Sequence, residues 1–264
     1  MSQRIITAII AGTVFIVLLV LGGIYFQVFI GLLALIALSE LFKMRRLPIL
    51  TLEGLLASLS CLVLTMPFIS DFLSLDKNGP FLLFGALLFV MLSASVFSNG
   101  KYSFAHVSFP FLSAFYVGFG FQALNQARMS SLYIVLFGIL IVWATDSGAY
   151  FIGRSFGRTK LIPSVSPNKT VEGAVGGVFL AVLLSFLLIS FLGDKLPDLP
   201  LIEMLLLSAL FSCAGQLGDL VESSIKRQFN VKDSGVILPG HGGILDRFDS
   251  MLFVLPLMQL LGLF

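Results

Sequence analysis

Charged residues are scarce in this sequence: Asp, Glu, Lys and Arg together make up 11% of the 264 residues, whereas 58% are hydrophobic. A domain that folds in water usually carries about 25% charged and 45–50% apolar residues. The composition therefore argues against an ordinary globular enzyme and excludes a disordered chain. Because about 20 apolar residues form one helix across a bilayer, the chain has room for about eight or nine such helices. We interpret it as an integral membrane protein.

Cysteine is almost absent as well. Cys61 and Cys213 both lie within apolar runs, so neither a disulfide framework nor a zinc site is indicated. The formal net charge of +2 is too small to suggest a nucleic-acid partner. The apolar runs are continuous and do not alternate with polar residues, which favours transmembrane helices over the strands of a barrel.

Nine segments have the length and hydrophobicity of membrane spans. They lie near residues 5–23, 24–42, 49–69, 80–97, 104–122, 132–151, 174–193, 201–220 and 244–264. The first segment follows Arg4, as a signal peptide would, but no small-residue cleavage site precedes Gly22, so we interpret it as an anchor. The predicted fold class is all-α, a polytopic helix bundle of about nine transmembrane helices.

If the chain crosses the membrane nine times, its basic residues are distributed unevenly between the two sides of the membrane. Lys77, Arg128 and Lys195 fall on one side. The other side holds 13 of the 16 Lys and Arg residues, namely Arg4, Lys43, Arg45, Arg46, Lys101, Arg154, Arg158, Lys160, Lys169, Lys226, Arg227, Lys232 and Arg247. The positive-inside rule then places the N-terminus and the loops 152–173 and 221–243 in the cytoplasm, in a multi-pass protein of the cell membrane.

Four aspartates lie within or at the ends of predicted spans, although a carboxylate at the bilayer centre costs about 2.5–3.5 kcal/mol on insertion scales. Asp146 and Asp219 lie near the cytoplasmic ends of the sixth and eighth spans, and Asp246 and Asp249 lie in the first turns of the ninth. A spacing of three directs Asp246 and Asp249 to the same side of a helix. Carboxylates so close repel one another unless a cation lies between them, and hard oxygen ligands suit Mg²⁺. We therefore expect a magnesium site at this membrane face.

Structural interpretations of these aspartates remain open. Asp246 and Asp249 could be solvated at the membrane interface or matched by Arg247 and Lys226. Asp146 and Asp219 could instead form hydrogen bonds that hold the helices together.

The loop 221–243 combines lysine and arginine, a glycine-rich turn and His241, immediately before the Asp246/Asp249 pair. Phosphate groups bind flexible glycine backbone and basic side chains, and Mg²⁺ bridges phosphate oxygens to carboxylates. The combination is typical of a phosphoryl-transfer site. Taken singly, the glycines are also explained by a turn before a helix, and the basic residues are also explained by the positive-inside rule.

The loop 152–173 has a similar composition. The run from Gly153 to Lys160 reads G-x-x-x-G-R-T-K, which differs from a phosphate-binding P-loop in spacing and ending, so we reject an ATPase. The glycosylation pattern at Asn168 is rejected because its loop is predicted to be cytoplasmic. Gly173 and Gly177 form a G-x-x-x-G pair, which more often indicates close helix packing than ligand contact.

Several runs together carry a family resemblance. They are Ser224-Ile225-Lys226-Arg227, Lys232-Asp233, His241-Gly242-Gly243-Ile244-Leu245-Asp246-Arg247-Phe248-Asp249, Ser166-Pro167-Asn168-Lys169-Thr170 with Glu172-Gly173, and Asp146 with Ala149-Tyr150-Phe151 and Gly153. The chain resembles the phosphatidate cytidylyltransferases, also called CDP-diacylglycerol synthases, specifically over about residues 140–250. The resemblance implies Mg²⁺-dependent transfer of CMP from CTP to phosphatidic acid, with release of pyrophosphate, by a multi-helix protein that is a homodimer.

The residue roles that we expect follow from this reaction. Asp219, Asp246 and Asp249 would hold one or two cations, with Asp146 as a further metal or structural candidate. His241 would orient substrate as a hydrogen-bond donor, because a lipid phosphate that is already ionised needs no strong general base. The expected phosphate-binding residues are Asn168, Lys169, Ser224, Lys226, Arg227, Lys232 and Arg247.

Two regions follow from this assignment. We expect residues 1–130 to form about five N-terminal helices for packing or dimerisation. Residues 131–264 would form the catalytic region, with its two cytoplasmic loops.

Three other functions share some of these sequence features. A transporter would also place acids within helices, but it predicts inverted repeats and acids near the midplane, and neither is evident. A CDP-alcohol phosphotransferase would show three or four aspartates spaced by three residues around D-G and A-R pairs, a pattern absent from this sequence. A polyprenol kinase would transfer the γ-phosphate and not the cytidine nucleotide.

Overall fold

The computed structural model describes residues 2–74, 76, 78–97, 103–240 and 242–264. These residues are mostly helical. The helices are α1 (Ser2–Leu21), α2 (Gly23–Met44), α3 (Leu52–Thr65), α4 (Pro67–Phe72), α5 (Gly79–Phe97), α6 (Phe104–Ser130), α7 (Leu132–Phe156), α8 (Val171–Leu192), α9 (Leu201–Gln228), α10 (Leu245–Phe248) and α11 (Met251–Leu260). A 3-10 turn follows α8 at Gly193–Lys195, and two short strands, β1 (Lys160–Ile162) and β2 (Ser166–Thr170), lie between α7 and α8.

The long helices confirm a polytopic helical membrane protein. Among the described residues, α2, α5, α6, α7, α8 and α9 are long and apolar enough to cross a membrane. Shorter apolar helices at Ile6–Leu21, Leu52–Thr65 and Met251–Leu260 occupy the first, third and ninth predicted spans. Each predicted span therefore coincides with helix, while the number of nine crossings and the cytoplasmic N-terminus stay predictions.

Two of the predicted spans are interrupted. The third divides at Met66, whose extended backbone (φ −109°, ψ 97°) ends α3 because Pro67 follows it and disfavours helix at the preceding residue. The ninth divides at Asp249 and Ser250, between α10 and α11. Asp249 therefore lies just beyond a one-turn helix and not on the same helix as Asp246.

Residues 1–129 and 233–245 form one compact unit. Its helices approach closely at small residues: a Cβ atom at Gly118 of α6 would lie 3.2 Å from the carbonyl oxygen of Cys61 in α3. The buried side chain of Asn125 donates to the carbonyl oxygen of Thr65 over 2.7 Å. Close backbone approach supplemented by interhelical hydrogen bonds is the usual way to hold helices together where lipid removes the hydrophobic driving force.

Residues 130–232 and 246–264 form a second compact unit. Its central contact joins α7 and α8 through glycines: a Cβ atom at Gly177 would lie 2.7 Å from the carbonyl oxygen of Thr145, and one at Gly173 would lie 2.8 Å from that of Ala149. The predicted packing role of the Gly173/Gly177 pair is confirmed, because no larger residue fits these positions without displacing backbone.

The predicted loop 152–173 contains more regular structure than expected. α7 continues to Phe156, and β1 and β2 pair antiparallel with Lys160 opposite Thr170. The Glu172 carboxylate accepts the backbone N–H groups of Arg158 and Thr159, both at 3.1 Å, so it fixes the start of the hairpin to the start of α8. The described residues are thus mainly helical, as predicted, with one small two-stranded sheet in addition.

The predicted loop 221–243 also begins later than expected. α9 continues to Gln228, and Glu222 and Lys226 form an ion pair four residues apart along it. Such pairs support a helix that extends beyond its apolar stretch.

Candidate active site

The C-terminal half of α9 presents a row of polar side chains in the second unit. Asp219, Glu222 and Lys226 are spaced by three and four residues and therefore share one face of the helix. Gly218 lies beside this row, where a Cβ atom would approach within 2.6 Å of the backbone oxygen of Asp249. The absence of a side chain at Gly218 thus allows the turn that follows α10 to lie directly against α9.

A buried ion-pair cluster lies at the end of this row. The Lys226 ammonium group is 2.7 Å from Asp246 Oδ1 and also pairs with Glu222 Oε2. The side chains of Lys226, Asp246 and Glu222 are 12%, 7% and 0% exposed. Because buried charges are costly unless they are paired, both carboxylates depend on the shared lysine, Lys226.

A second ion pair links α9 to the β2 strand. Lys169 Nζ lies 2.5 Å from Asp219 Oδ2, and the hydroxyl of Ser223 donates to Asp219 Oδ1 over 3.2 Å. About a third of the Asp219 side chain is exposed, so solvent screens this pair more than the Lys226 cluster.

A cavity of about 510 Å³ opens beside Asp219, within the size range of small-molecule sites. It lies between α7, the hairpin, α8 and α9. Its lining residues are Asp146, Ala149, Tyr150, Gly153, Arg154, Leu161, Asn168, Lys169, Thr170, Gly173, Ala174, Gln216 and Asp219. This cavity therefore brings together four of the predicted site residues, namely Asp146, Asn168, Lys169 and Asp219.

The glycines of α7 and α8 shape this cavity. A Cβ atom at Gly153 would lie 3.1 Å from the hydroxyl oxygen of Thr170 and 3.4 Å from the Cα atom of Gly173. The same Thr170 hydroxyl accepts the Gly173 N–H over 3.1 Å and so caps the start of α8. The hairpin is thereby held against α7 with Asn168 and Lys169 next to the cavity.

The remaining predicted phosphate-binding residues lie elsewhere. Arg227 donates to the backbone oxygens of Val165 (3.2 Å) and Val231 (3.4 Å), so its guanidinium group holds the hairpin turn and the end of α9. Ser224, Lys232 and Arg247 are exposed and do not line the cavity. His241 lies outside the residues that the structure describes.

The carboxylates have the chemistry of a magnesium site, because aspartate oxygens are the hard ligands that Mg²⁺ prefers. Within the described ranges, however, no three Asp, Glu, His or Cys side chains are close enough to one another to hold an ion together. Asp219 and Asp246 are each paired with a lysine, and Asp249 Oδ1 accepts the N–H of Ser250 over 2.7 Å. The donor set fits Mg²⁺ in chemistry, while its assembly around an ion stays a prediction.

Comparison with known proteins identifies the family of this chain. The model of the family described as "Cytidylyltransferase family" matches residues 2–264. The chain belongs to the cytidylyltransferase family. Proteins named phosphatidate cytidylyltransferase are similar to it: one from Staphylococcus saprophyticus is 44% identical over 261 residues, which cover 99% of this chain and 98% of that protein. One from Staphylococcus aureus (strain COL) is 42% identical over 267 residues, with the same coverage of both chains.

Several residues of this cytidylyltransferase family member were missed by sequence reasoning alone. Glu222 was assigned to a loop, although its spacing from Asp219 and Lys226 is helical and would have indicated the shared face. Tyr150, Arg154 and Gln216 line the cavity, and Arg154 Nη1 donates to the Tyr150 hydroxyl over 3.0 Å. No spacing in the sequence distinguishes Gln216, because its position depends on how α8 and α9 pack.

Proposed function

We propose that this chain transfers the CMP moiety of CTP to phosphatidic acid. A phosphate oxygen of phosphatidic acid forms a bond to the α-phosphorus of CTP, and the bond from that phosphorus to the oxygen bridging to the β-phosphorus breaks. The products are CDP-diacylglycerol and pyrophosphate. The observation that supports this most strongly is similarity along 99% of the chain to proteins named phosphatidate cytidylyltransferase.

The cavity next to Asp219 is suited to the nucleotide, because it presents Lys169 and the Asn168 amide to an anion. Lys169 and Lys226 each neutralise carboxylates in the absence of substrate. On nucleotide binding these ammonium groups exchange a carboxylate partner for phosphate oxygens. Charge-assisted hydrogen bonds of this kind both bind and orient a phosphate.

Asp219, Asp246 and Asp249 would hold Mg²⁺, and Asp146 would be a further ligand. The same carboxylates could hold a second cation. The bound metal would neutralise charge that develops on the phosphates. The protein residues bind and align the two phosphates for in-line displacement. Arg247, Arg227, Lys232 and Ser224 would contact the triphosphate or the lipid phosphate. His241 would act as an orienting donor, since an ionised lipid phosphate needs no base.

The proposal is tested with purified protein in mixed micelles containing phosphatidic acid and Mg²⁺. We expect CTP labelled at the α-phosphate to yield labelled lipid together with one pyrophosphate per lipid formed. Label that reaches the lipid only from the γ-phosphate would instead indicate a lipid kinase, and no product from either label would refute the proposed activity.

The Asp246→Asn variant tests the role of the carboxylates in this assay. We expect its turnover to fall at least 100-fold, whereas Asp198→Asn, on an exposed connection before α9, should retain the wild-type rate. Near-normal turnover of Asp246→Asn would refute the assignment of Asp246.

We further propose that the N-terminus and both basic loops face the cytoplasm, and that the protein is a homodimer in which residues 1–130 contribute packing or dimer contacts. The orientation rests on the uneven distribution of Lys and Arg, and the dimer rests on the family resemblance. In a variant with Cys61 and Cys213 replaced, a cysteine introduced at Lys232 should react with an impermeant maleimide only after the cells are opened. Labelling in intact cells would reverse the orientation, and size-exclusion chromatography with light scattering measures the mass of the assembly.

A further inference from the structure

A buried carboxylate in the first unit takes no part in the site described above. Glu40 lies near the end of α2 and is 2% exposed. Its oxygens accept three hydrogen bonds of 2.9 Å, from the backbone N–H groups of Ile244 and Leu245 and from the hydroxyl of Ser234. An acidic group is buried at a large cost unless donors surround it, and here the donors come from residues about 200 positions later in the chain.

Two glycines allow the backbone to close around this carboxylate. A Cβ atom at Gly235 would lie 2.5 Å from Glu40 Oε1, and one at Gly243 would overlap both Glu40 Oε2 and the Ser234 hydroxyl. Residues at both ends of the segment Ser234–Leu245 therefore contact the same carboxyl group. Any side chain at Gly235 or Gly243 would occupy the space of a Glu40 oxygen.

The middle of the segment forms a turn. The N–H of Leu238 donates to the carbonyl oxygen of Gly242 over 3.1 Å, and Gly240 and Gly242 adopt positive φ angles of 79° and 82°. Only glycine adopts such angles without strain. Both ends of the segment, at Ser234 and at Ile244 and Leu245, are thus held by Glu40.

We propose that Glu40 is a positioning residue for the nucleotidyl-transfer site. Leu245 is joined directly to Asp246, so the two backbone hydrogen bonds at Ile244 and Leu245 hold the two residues that immediately precede the run Asp246–Asp249. Glu40 acts on the reaction through this segment and does not touch substrate. The role in catalysis rests on the proposed function, whereas the role in holding the segment does not.

The Glu40→Gln variant tests the proposal with little change in size. Its amide replaces one acceptor oxygen by a donor group that faces an N–H or hydroxyl donor, so the segment should loosen. Gln27→Ala is the matched control, because Gln27 is also buried in α2 but accepts the N–H of Phe68, far from Ser234–Leu245 in the same unit. Ser234→Ala removes a single donor and serves as a milder variant if Glu40→Gln does not fold.

Two measurements distinguish positioning from general stability. Hydrogen–deuterium exchange should be at least 10-fold faster in peptides covering residues 234–248 of Glu40→Gln, with peptides from α7 unchanged, and should be faster to a smaller extent in Ser234→Ala. The Mg²⁺ concentration for half-maximal formation of CDP-diacylglycerol should rise at least fivefold in Glu40→Gln but not in Gln27→Ala. Partial unfolding lowers the maximal rate without shifting this concentration.

Exchange in residues 234–248 that matches wild type, or that rises equally in all peptides, would overturn the proposal. An unshifted Mg²⁺ concentration would overturn the catalytic part of it. If wild-type protein forms no CDP-diacylglycerol, the proposed function fails, and the exchange measurement still decides whether Glu40 holds the segment.

Discussion

The ammonium group of Lys226 lies 2.7 Å from Asp246 and also pairs with Glu222, so one lysine serves two almost fully buried carboxylates. The cluster retains a formal charge of −1 when all three groups are ionised. This residual negative charge is compatible with the proposed binding of Mg²⁺ together with a nucleotide.

Replacing Lys226 with Met should destabilise the protein strongly, because it leaves Glu222 and Asp246 buried without their partner. We expect a loss on the order of 3 kcal/mol in the free energy of unfolding, together with loss of transferase activity. Thermal unfolding in detergent measures the first effect. Lys232→Met, at an exposed lysine, should change stability by less than about 0.5 kcal/mol. A Lys226→Met protein as stable as wild type would contradict the importance of the cluster.

Adding Glu222→Gln to Lys226→Met should recover part of the lost stability. The double variant buries one unpaired carboxylate and not two, so its unfolding temperature should exceed that of Lys226→Met alone. Equal unfolding temperatures would show that Glu222 and Lys226 do not interact energetically.

Replacing Lys169 with Ala should affect substrate binding more than folding. Its ion pair with Asp219 is partly exposed and contributes at most about 1 kcal/mol to stability. Loss of a charged donor to phosphate should raise the KM for CTP about 10-fold or more. Lys160→Ala is the control, because Lys160 is exposed on the neighbouring strand and does not line the cavity. An unchanged KM in Lys169→Ala would exclude Lys169 from CTP binding.

Replacing Gly148 with Ala should disturb the packing of α7 on α8. The added methyl group would lie 2.6 Å from the carbonyl oxygen of Gly176, so we expect destabilisation of about 1–3 kcal/mol. Gly85→Ala in α5 meets no atom within 4 Å and should be neutral or slightly stabilising, because alanine favours helix. The unfolding temperatures of the two variants should be measured side by side. A lower value for Gly148→Ala than for Gly85→Ala would show that contact with α8, rather than helix propensity, determines the effect of alanine on stability.

Removing divalent cations with EDTA should abolish pyrophosphate release from CTP, and excess Mg²⁺ should restore it. The unfolding temperature should change little, because lysines already neutralise Asp219 and Asp246. Full turnover in EDTA would refute the proposed requirement for Mg²⁺.

The helical segments were predictable because hydrophobicity is a local property of the chain. All nine apolar segments coincide with helix, and the packing role of Gly173 and Gly177 followed from their spacing. The interruption at Met66 and the extension of α9 to Gln228 were not predicted, since they depend on Pro67 and on an ion pair beyond the apolar stretch.

The sequence by itself determined that this is a helical membrane protein and indicated which polar residues to propose for its chemistry, because a low charge content and acids within apolar segments are visible without any contact. Only the tertiary structure decided that Lys226 pairs with Asp246 and that Glu40 holds Ile244 and Leu245. Those pairs are 20 and about 200 residues apart, so they form through helix packing and close backbone approach at glycine, neither of which local periodicity specifies.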